Sequence, residues 1–218
     1  MVNWADLKNI HEGYTGIVIG NGPSLKNVLN DVLNVYPSFG TNKIYLKKGF
    51  VPTYYVCINP YVCAQVEKEV PEWPDTVKFA RAGFMQDKAL QLNPVSTHLP
   101  AFSYTPEIQI YEGFTVTNVC LQLAFYMGFD TILLYGIDHR FVTDGNSNTM
   151  QKAKGDDPNH FHPKYFTDGD QWQLPDLYMS EQYYRLANNV FREHGKRIIN
   201  LTKDSALEVF EKVEEHDS

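Results

Sequence analysis

The amino-acid sequence predicts an α/β protein with a doubly wound, mostly parallel sheet. Short β-branched runs at 16–20 and 131–136 are typical of strands that are buried on both faces, as in parallel sheets. These runs alternate along the chain with segments whose apolar residues recur at helical spacing. A chain of 218 residues, 43% apolar and 14% aromatic, can form one large domain of this class without disulfides.

The first half of the chain is predicted to begin with a strand, a turn and a helix. In order, the predicted elements are a strand over 16–20, a helix over 24–33, a strand over 53–58, a helix over 61–69 and a weak strand over 76–80. Ser24 is in a position to cap the first helix. The stretch 83–113 holds three prolines and little periodicity, so we expect it to be irregular.

The second half of the chain has clearer signals. In order, the predicted elements are a buried helix over 117–127, a strand over 131–136, a helix over 176–194, a strand over 197–200 and a helix over 205–213. The segment 139–175 has almost no periodic apolar pattern, and loops of this length are typical of functional lids or of disorder. The alternation predicts a single Rossmann-like domain over 1–218 with this lid, and ligands bound at the carboxyl ends of the strands.

The charge balance argues against nucleic acid as a partner. Lys and Arg number 19 and Asp and Glu number 26, which gives a formal charge of −7. An acidic chain binds nucleic acid poorly, because affinity there depends on neutralising many phosphates. A single nucleotide needs only a local site and is compatible with this charge.

Cysteine content and the first residues indicate a cytoplasmic protein. The three cysteines, Cys57, Cys63 and Cys120, cannot form a disulfide framework, so we expect them to be core residues in a reducing compartment. Asp6 and Lys8 interrupt the start of the chain, which therefore lacks the apolar core of a signal peptide. No stretch approaches the roughly 18 apolar residues of a transmembrane helix.

The sharpest motif runs from Gly20 to Leu25, between the first strand and the first helix. Gly20 and Gly22 permit close backbone approach, and Pro23 is tolerated in a first helical turn. The helix N-terminus would attract the phosphate of a nucleotide, and Asn21 could bind its ribose or base. A plain strand-to-helix turn is the alternative.

Two better-known phosphate motifs do not fit this turn. In the dinucleotide fingerprint the third glycine would stand at Leu25. A P-loop is excluded, because no Gly-Lys-Ser/Thr follows.

Polar residues follow other predicted strands as well. Asn42, Asn59 and Asp138 stand where strands are expected to end, so with Asn21 they should line one edge of the sheet. A rim of neutral amides suits an uncharged polar group such as a nucleoside, whereas hard cations want several carboxylates. We therefore predict no metal site here. Turn formation by Asn and Asp is the alternative for each residue.

Thr115, Val116 and Thr117 open the buried helix. Their hydroxyl and free N–H groups could form a second contact for an anion or a sugar. Simple N-capping by Thr115 or Thr117 is the alternative.

The lid contains the candidates for proton transfer. His160 and His162 could act as a general base, because the pKa of histidine lies near neutrality. Tyr165 could donate a proton to a leaving phosphate. Two histidines at this spacing with no third ligand nearby are a weak zinc signal, and solvated loop histidines are the plain alternative.

Taken together, the motifs resemble the MptE-like superfamily. The resemblance spans roughly 16–210 and is carried by Gly20-Asn21-Gly22-Pro23-Ser24-Leu25, Thr115-Val116-Thr117, Gly128-Phe129, the run 132–139, His160-Phe161 through Tyr165-Phe166, and 199–202. That superfamily includes the motility accessory factors, to which transfer of pseudaminic acid is attributed, and archaeal 6-hydroxymethyl-dihydropterin diphosphokinases. It is similar in turn to the bacterial sialyltransferases of glycosyltransferase family 42.

The similarity to those sialyltransferases implies a Rossmann-like sheet that binds a cytidine monophosphate (CMP) sugar. It implies that Asn21 and Ser24 contact phosphate and ribose, and that Asn42 and Asn59 belong to the same site. It also implies that His160 or His162 is the catalytic base. At two places this sequence differs from the sialyltransferases. Thr115-Val116-Thr117 stands where they have threonine-serine-glycine. Tyr165 is the residue expected in place of the two lid tyrosines that assist their leaving phosphate.

Three functions remain open at this point. The first is a metal-independent glycosyltransferase of surface glycan synthesis, which uses a CMP-linked sialic or nonulosonic acid and a glycan or small-molecule acceptor. The second is a Mg²⁺-dependent diphosphokinase that moves pyrophosphate from ATP to a pterin alcohol. It would use Asp138, helped by Asp144 or Asp156, and a basic clamp of Arg140 and Lys164.

The third is a noncatalytic nucleotide-binding module. A homo-oligomer is a further expectation from the resemblance to family 42.

Overall fold

An eight-stranded, all-parallel sheet forms the centre of the protein. The computed structural model describes residues 2–213. Its strands are β1 (Thr15–Ile19), β2 (Ser38–Thr41), β3 (Tyr54–Cys57), β4 (Val77–Arg81), β5 (Leu90–Leu92), β6 (Pro94–Val95), β7 (Ile110–Tyr111), β8 (Thr131–Tyr135), β9 (Met150–Lys152), β10 (Gln171–Gln173), β11 (Arg197–Asn200) and β12 (Glu211–Lys212). The order in the large sheet is β12-β11-β8-β1-β2-β3-β4-β5, so the chain reverses direction across the sheet between β1 and β8.

Helices cover both faces of this sheet, which is the doubly wound, Rossmann-like arrangement that the sequence predicts. The helices are α1 (Trp4–Leu7), α2 (Asn30–Leu33), α3 (Pro60–Val66), α4 (Val116–Tyr126) and α5 (Leu177–Glu193), with 3-10 helices at Pro23–Asn27 and Ile44–Leu46. None of the helices within residues 2–213 has the length and apolar character needed to cross a membrane.

The two core clusters explain why β1 is a continuous apolar run. Val18 packs with α4 and α5 on one face, whereas Ile17 and Ile19 pack on the other. The second cluster also contains three aromatic residues of the lid, Phe161, Tyr165 and Phe166, each less than one-tenth exposed. This part of the lid is therefore packed into the core, whereas much of the rest of 139–175 is exposed.

The cysteines are buried and free, as expected of core residues. Cys57 and Cys120 are fully buried, and Cys63 is 1% exposed.

The prediction of one continuous helix over 24–33 is wrong. The chain forms the 3-10 helix Pro23–Asn27 and then the short α2, and Ser24 does not cap either. Lys47 Nζ donates to the carbonyl oxygens of Leu25 and Val28, which a continuous helix would need for its own hydrogen bonds. Leu29 is 70% exposed, so the apolar periodicity there does not mark a buried face.

The helix predicted over 205–213 is also wrong. The chain turns there and forms β12, which pairs with β11. Ser205 Oγ donates to the carbonyl oxygen of Ile137 at 2.6 Å, and Asn188 Nδ2 donates to that of Val209 at 2.9 Å. Tertiary partners therefore replace the helical hydrogen bonds.

Two stretches predicted to lack structure contain short strands. Within 83–113, β5 extends the large sheet, and β6 pairs with β7. Within the lid 139–175, β9 and β10 form an antiparallel hairpin. Strands this short carry too few residues for a pattern in the sequence to reveal them.

Candidate functional site

A cleft of about 750 Å³ lies at the carboxyl ends of the strands, where ligands bind in open α/β sheets. It is lined by residues that follow β1, β2, β3 and β8 and by the lid. Most predicted site residues line it, namely Gly20, Asn21, Gly22, Asn42, Asn59, Thr115, Val116, Thr117, Asp138, His160 and Tyr165. Pro23, Ser24 and His162 are not among its lining residues.

The glycines of the opening turn let two strand ends approach each other. A Cβ on Gly20 would lie 2.4 Å from the carbonyl oxygen of Gly136, which follows β8. A Cβ on Gly22 would lie 2.0 Å from Oδ2 of Asp138. The two positions therefore require glycine for packing at the crevice between β1 and β8.

Asp138 occupies the place that we expected for a phosphate. Its carboxylate accepts the Ser24 N–H at 3.1 Å and the Ser24 hydroxyl at 2.8 Å. The free N–H group predicted at this turn is thus already bonded, and Ser24 orients Asp138 instead of facing the cleft. The predicted phosphate contacts of Pro23 and Ser24 stay predictions, and a contact to Ser24 would have to replace its bonds to Asp138.

Two asparagines that line the cleft present buried amide oxygens without partners among the described residues. Asn21 Nδ2 donates to the carbonyl oxygen of Thr41 at 3.1 Å and to its Oγ1 at 2.8 Å, which fixes the amide and leaves Oδ1 free. Asn42 Oδ1 is buried and without a partner as well. Buried polar atoms are normally paired, so both oxygens are available to accept hydrogen bonds from N–H or O–H groups of a ligand.

Asn59 and Thr115 have capping roles. Asn59 Oδ1 accepts the N–H of Tyr61 at 3.0 Å and of Val62 at 3.4 Å at the start of α3. Thr115 Oγ1 accepts the N–H of Thr117 at 3.3 Å at the start of α4. For Thr115 this is the capping alternative stated above, whereas for Asn59 the stated alternative was turn formation and the structure shows a helix cap. Both residues also line the cleft.

His160 and Asp157 form a hydrogen-bonded pair in the lid. His160 Nδ1 lies 2.8 Å from Asp157 Oδ2, and the two side chains are 14% and 7% exposed. Burial raises the pKa of Asp157, but the hydrogen bond and the charge of His160 outweigh it, so the pKa lies below its usual value. The His160 ring stacks on Tyr165 at 3.9 Å between centroids, which fixes its plane.

This pair has the geometry of a general base and the group that orients it. Sequence reasoning missed Asp157, although the Asp-x-x-His spacing of Asp157 and His160 was available as a signal.

The other two lid candidates are placed differently. His162 Nδ1 accepts the N–H of Lys164 at 3.2 Å, away from the cleft lining. Tyr165 is 1% exposed, and its hydroxyl accepts the N–H of Lys43 at 3.4 Å. Burial raises the pKa of the Tyr165 hydroxyl. Tyr165 therefore supports the His160 ring, and a proton-donor role has no support in these contacts.

The charged groups of the cleft carry both signs. Arg81 pairs with Glu112 and donates to the carbonyl oxygen of Ile58 at 2.6 Å. His139 lies 3.7 Å from Glu181, and Arg140 also lines the cleft.

Three charged residues weighed for the diphosphokinase function do not line the cleft, namely Asp144, Asp156 and Lys164. Lys164 pairs instead with Asp156 at 2.7 Å. Within residues 2–213 no group of three or more His, Cys, Asp or Glu side chains is arranged to hold a metal ion.

Comparison with known protein families gives one match. A family model described as "6-hydroxymethylpterin diphosphokinase MptE-like" matches residues 2–144, which is more than half of the chain. No curated protein and no solved structure matches.

Proposed function

The chain belongs to the 6-hydroxymethylpterin diphosphokinase MptE-like family, and we propose that it is a transferase which moves a group from a nucleotide donor to a hydroxyl acceptor. The observation that carries the proposal is the pair formed by His160, which lines the cleft, and Asp157. Both reactions linked to the MptE-like superfamily begin with attack by a hydroxyl group, so both need a base of this kind.

In the proposed mechanism, His160 accepts the proton of the acceptor hydroxyl as the new bond forms. Asp157 faces Nδ1, so the free nitrogen for this step is Nε2. The carboxylate holds the ring in one tautomer and stabilises the imidazolium that forms. General-base catalysis of this type contributes about 10²- to 10⁴-fold in rate.

The nucleotide of the donor is proposed to lie against the two unpartnered amide oxygens. Asn21 and Asn42 would accept hydrogen bonds from the ribose hydroxyls or from the amino group of the base. Asn59 has used its Oδ1 as a cap and retains only its Nδ2 for a ligand. The acceptor is a glycan or a small molecule, and the cytoplasmic location stays a prediction.

A CMP-linked nonulosonic acid is the donor that the charges of the cleft favour. Arg81 is engaged by Glu112, which leaves Arg140 as the arginine of the described cleft lining that is not in an ion pair. One such charge suits a monophosphate better than a triphosphate. A monophosphate leaving group develops less charge than a pyrophosphate. The reaction would be a metal-independent glycosyl transfer.

A Mg²⁺-dependent diphosphokinase acting on ATP is the second candidate, favoured by the description of the family. Mg²⁺ is commonly bound by one or two carboxylates together with substrate phosphates, so a dense ligand cluster is not required. Asp138 is the carboxylate that would serve this need, since it lines the cleft and each of its oxygens keeps a lone pair beyond the hydrogen bonds from Ser24. The ion would neutralise charge on the phosphates.

Calorimetric titration with CMP and with ATP, each with and without Mg²⁺, tests the donor. Metal-free binding of CMP supports glycosyl transfer, whereas Mg²⁺-dependent binding of ATP without binding of CMP supports the diphosphokinase. A noncatalytic module, the third possibility, predicts that His160→Gln leaves cellular function intact. Binding of neither nucleotide would contradict the proposal.

A further inference from the structure

A second histidine–carboxylate pair lies in the cleft wall, next to the crevice between β1 and β8. His139 follows Asp138, and its Nε2 lies 3.7 Å from Oε2 of Glu181 on α5. The His139 side chain is 9% exposed and lines the cleft. Neither member of this pair has a part in the mechanism above.

The backbone fixes the position of this ring. His139 has a φ of +54°, in the left-handed region that few residues other than glycine adopt. Asp138 is held on both sides, because Ser24 binds its carboxylate and the N–H of Ala206 donates to its carbonyl oxygen at 2.9 Å. The contacts of Asp138 therefore fix the point at which the chain turns into the cleft. They also hold His139 in a backbone conformation that costs free energy.

The two ring nitrogens face different surroundings. Nε2 is the nitrogen near Glu181, whose other carboxylate oxygen is bound by Arg185. Nδ1 has no hydrogen-bond partner among residues 2–213. A protonated ring could thus pair with Glu181 through one nitrogen and offer the N–H of the other to an anion in the cleft.

Few other cationic groups of the cleft are available for a phosphate. Arg81 is paired with Glu112. Arg140, the residue after His139, is exposed and forms no ion pair with any described residue. His139 and Arg140 are thus the basic groups at the crevice itself, and His98, beside Phe114, is a further one in the cleft lining.

We propose that His139 binds the phosphate of the nucleotide donor as an imidazolium held between Glu181 and a phosphate oxygen, and that it takes up its proton from solvent when the donor binds. The inference rests on the proposed function only in requiring a phosphate-bearing ligand in the cleft. No covalent bond changes in this step.

The surroundings of His139 support proton uptake. In the protein without ligand, burial lowers the pKa of His139 more than Glu181 raises it, so the ring is largely neutral at neutral pH. The facing groups are Glu181 and Arg185 from α5, the ring of Tyr184 at 6.2 Å between centroids, and the flanking Asp138 and Arg140. A phosphate adds negative charge beside Nδ1, which raises the pKa.

The test is calorimetry of CMP binding at about pH 7.5, above the usual histidine pKa, in buffers with different enthalpies of ionisation. We expect a net uptake approaching one proton with CMP and none with cytidine, which lacks the phosphate. The variant His139→Asn should lose this uptake and bind CMP about 10- to 100-fold more weakly, as expected for a lost charge-assisted hydrogen bond. Its affinity for cytidine should not change.

Asparagine is chosen because it tolerates positive φ, and thermal unfolding checks that the variant folds. Glu181→Gln should also reduce the uptake, since it removes the charge that favours the imidazolium. The proposal would be overturned if the His139→Asn variant still takes up a proton on binding CMP. It would also be overturned if proton uptake is lost in His160→Gln and not in His139→Asn.

The outcomes separate this inference from the proposed function. If transfer depends on His160 but CMP affinity is the same with and without His139, the proposed function is supported and this inference is overturned. If neither nucleotide binds, the function fails, and His139 is then tested with inorganic phosphate by NMR titration of its imidazole signals. A pKa that phosphate does not raise would overturn the inference in that case as well.

Discussion

The backbone N–H of Phe161 donates to the carbonyl oxygen of Asn21 at 2.9 Å, which ties the lid to the turn after β1. Phe161 directly follows His160, and its side chain is buried in the core beneath the lid. The backbone next to the base is therefore joined directly to the backbone of Asn21, whose amide group Thr41 fixes. Proximity of this kind is what a transfer between two bound molecules requires.

Replacing the base should abolish transfer while leaving nucleotide binding nearly intact. For His160→Gln we expect a rate lower by about 10²- to 10⁴-fold, the usual range for a lost general base. Asp157→Asn should cause a similar loss, because the amide favours the wrong tautomer of the ring. His162→Gln is the matched control, since His162 does not line the cleft and should keep its activity. Equal losses in both histidine variants would count against the assignment.

Asn42→Gly should weaken nucleotide binding without weakening the fold. Asn42 has a φ of +51°, which glycine adopts freely, and its Oδ1 has no partner among the described residues to lose. The affinity measured by calorimetry should fall by about 1–3 kcal/mol, the cost of one lost polar partner. The melting temperature should change little. Unchanged affinity would remove Asn42 from the site.

Gly22→Ala should destabilise the protein through Asp138. The new Cβ would meet Oδ2 of that carboxylate at 2.0 Å, so either Asp138 or the turn must move. We expect a cost of about 1–3 kcal/mol in denaturant unfolding, as for other overpacked sites. The same substitution in an Asp138→Ala background should cost less, and a double-mutant cycle measures the difference. Strictly additive effects would show that the clash is relieved elsewhere.

The Asp157–His160 pair should stabilise the folded protein in a pH-dependent way. The pKa of Asp157 is lower in the folded protein than in the unfolded chain. A carboxyl group of this kind stabilises the fold fully above its unfolded pKa of about 4, and the effect is lost as the pH falls through the folded value. The difference in unfolding free energy between the wild type and Asp157→Asn should therefore shrink on acidification below about pH 4. A difference that grows on acidification would contradict the assignment.

Strands and helices with strong local patterns were predictable from the sequence. The runs 131–136 and 197–200 form β8 and β11, and the helix predicted over 176–194 is α5 with Asp176 as its cap. In each case burial and local propensity favour the same structure. The helices over 24–33 and 205–213 failed because carbonyl groups there bind Lys47, Lys212 and other distant partners, which no local pattern reveals.

The site was predictable where it depends on strand ends and not where it depends on the lid. Asn21, Asn42 and Asp138 meet in one cleft because parallel strands end at the same edge. That His160 lines the cleft and His162 does not could be seen only in the tertiary structure, since it depends on how Phe161 and Tyr165 are buried. Asp138 was expected beside a ligand, but its bond to Ser24 joins segments more than a hundred residues apart in sequence.

The parallel arrangement of the sheet has a consequence for how this protein lineage can diversify. Every connection that leaves a strand toward the cleft is a loop or a helix start, and few of these residues contribute to pairing between strands. Substitutions in such connections can therefore change what the cleft binds while the pairing of the strands stays unchanged. One ancestral fold can in this way give rise to descendants with unrelated substrates.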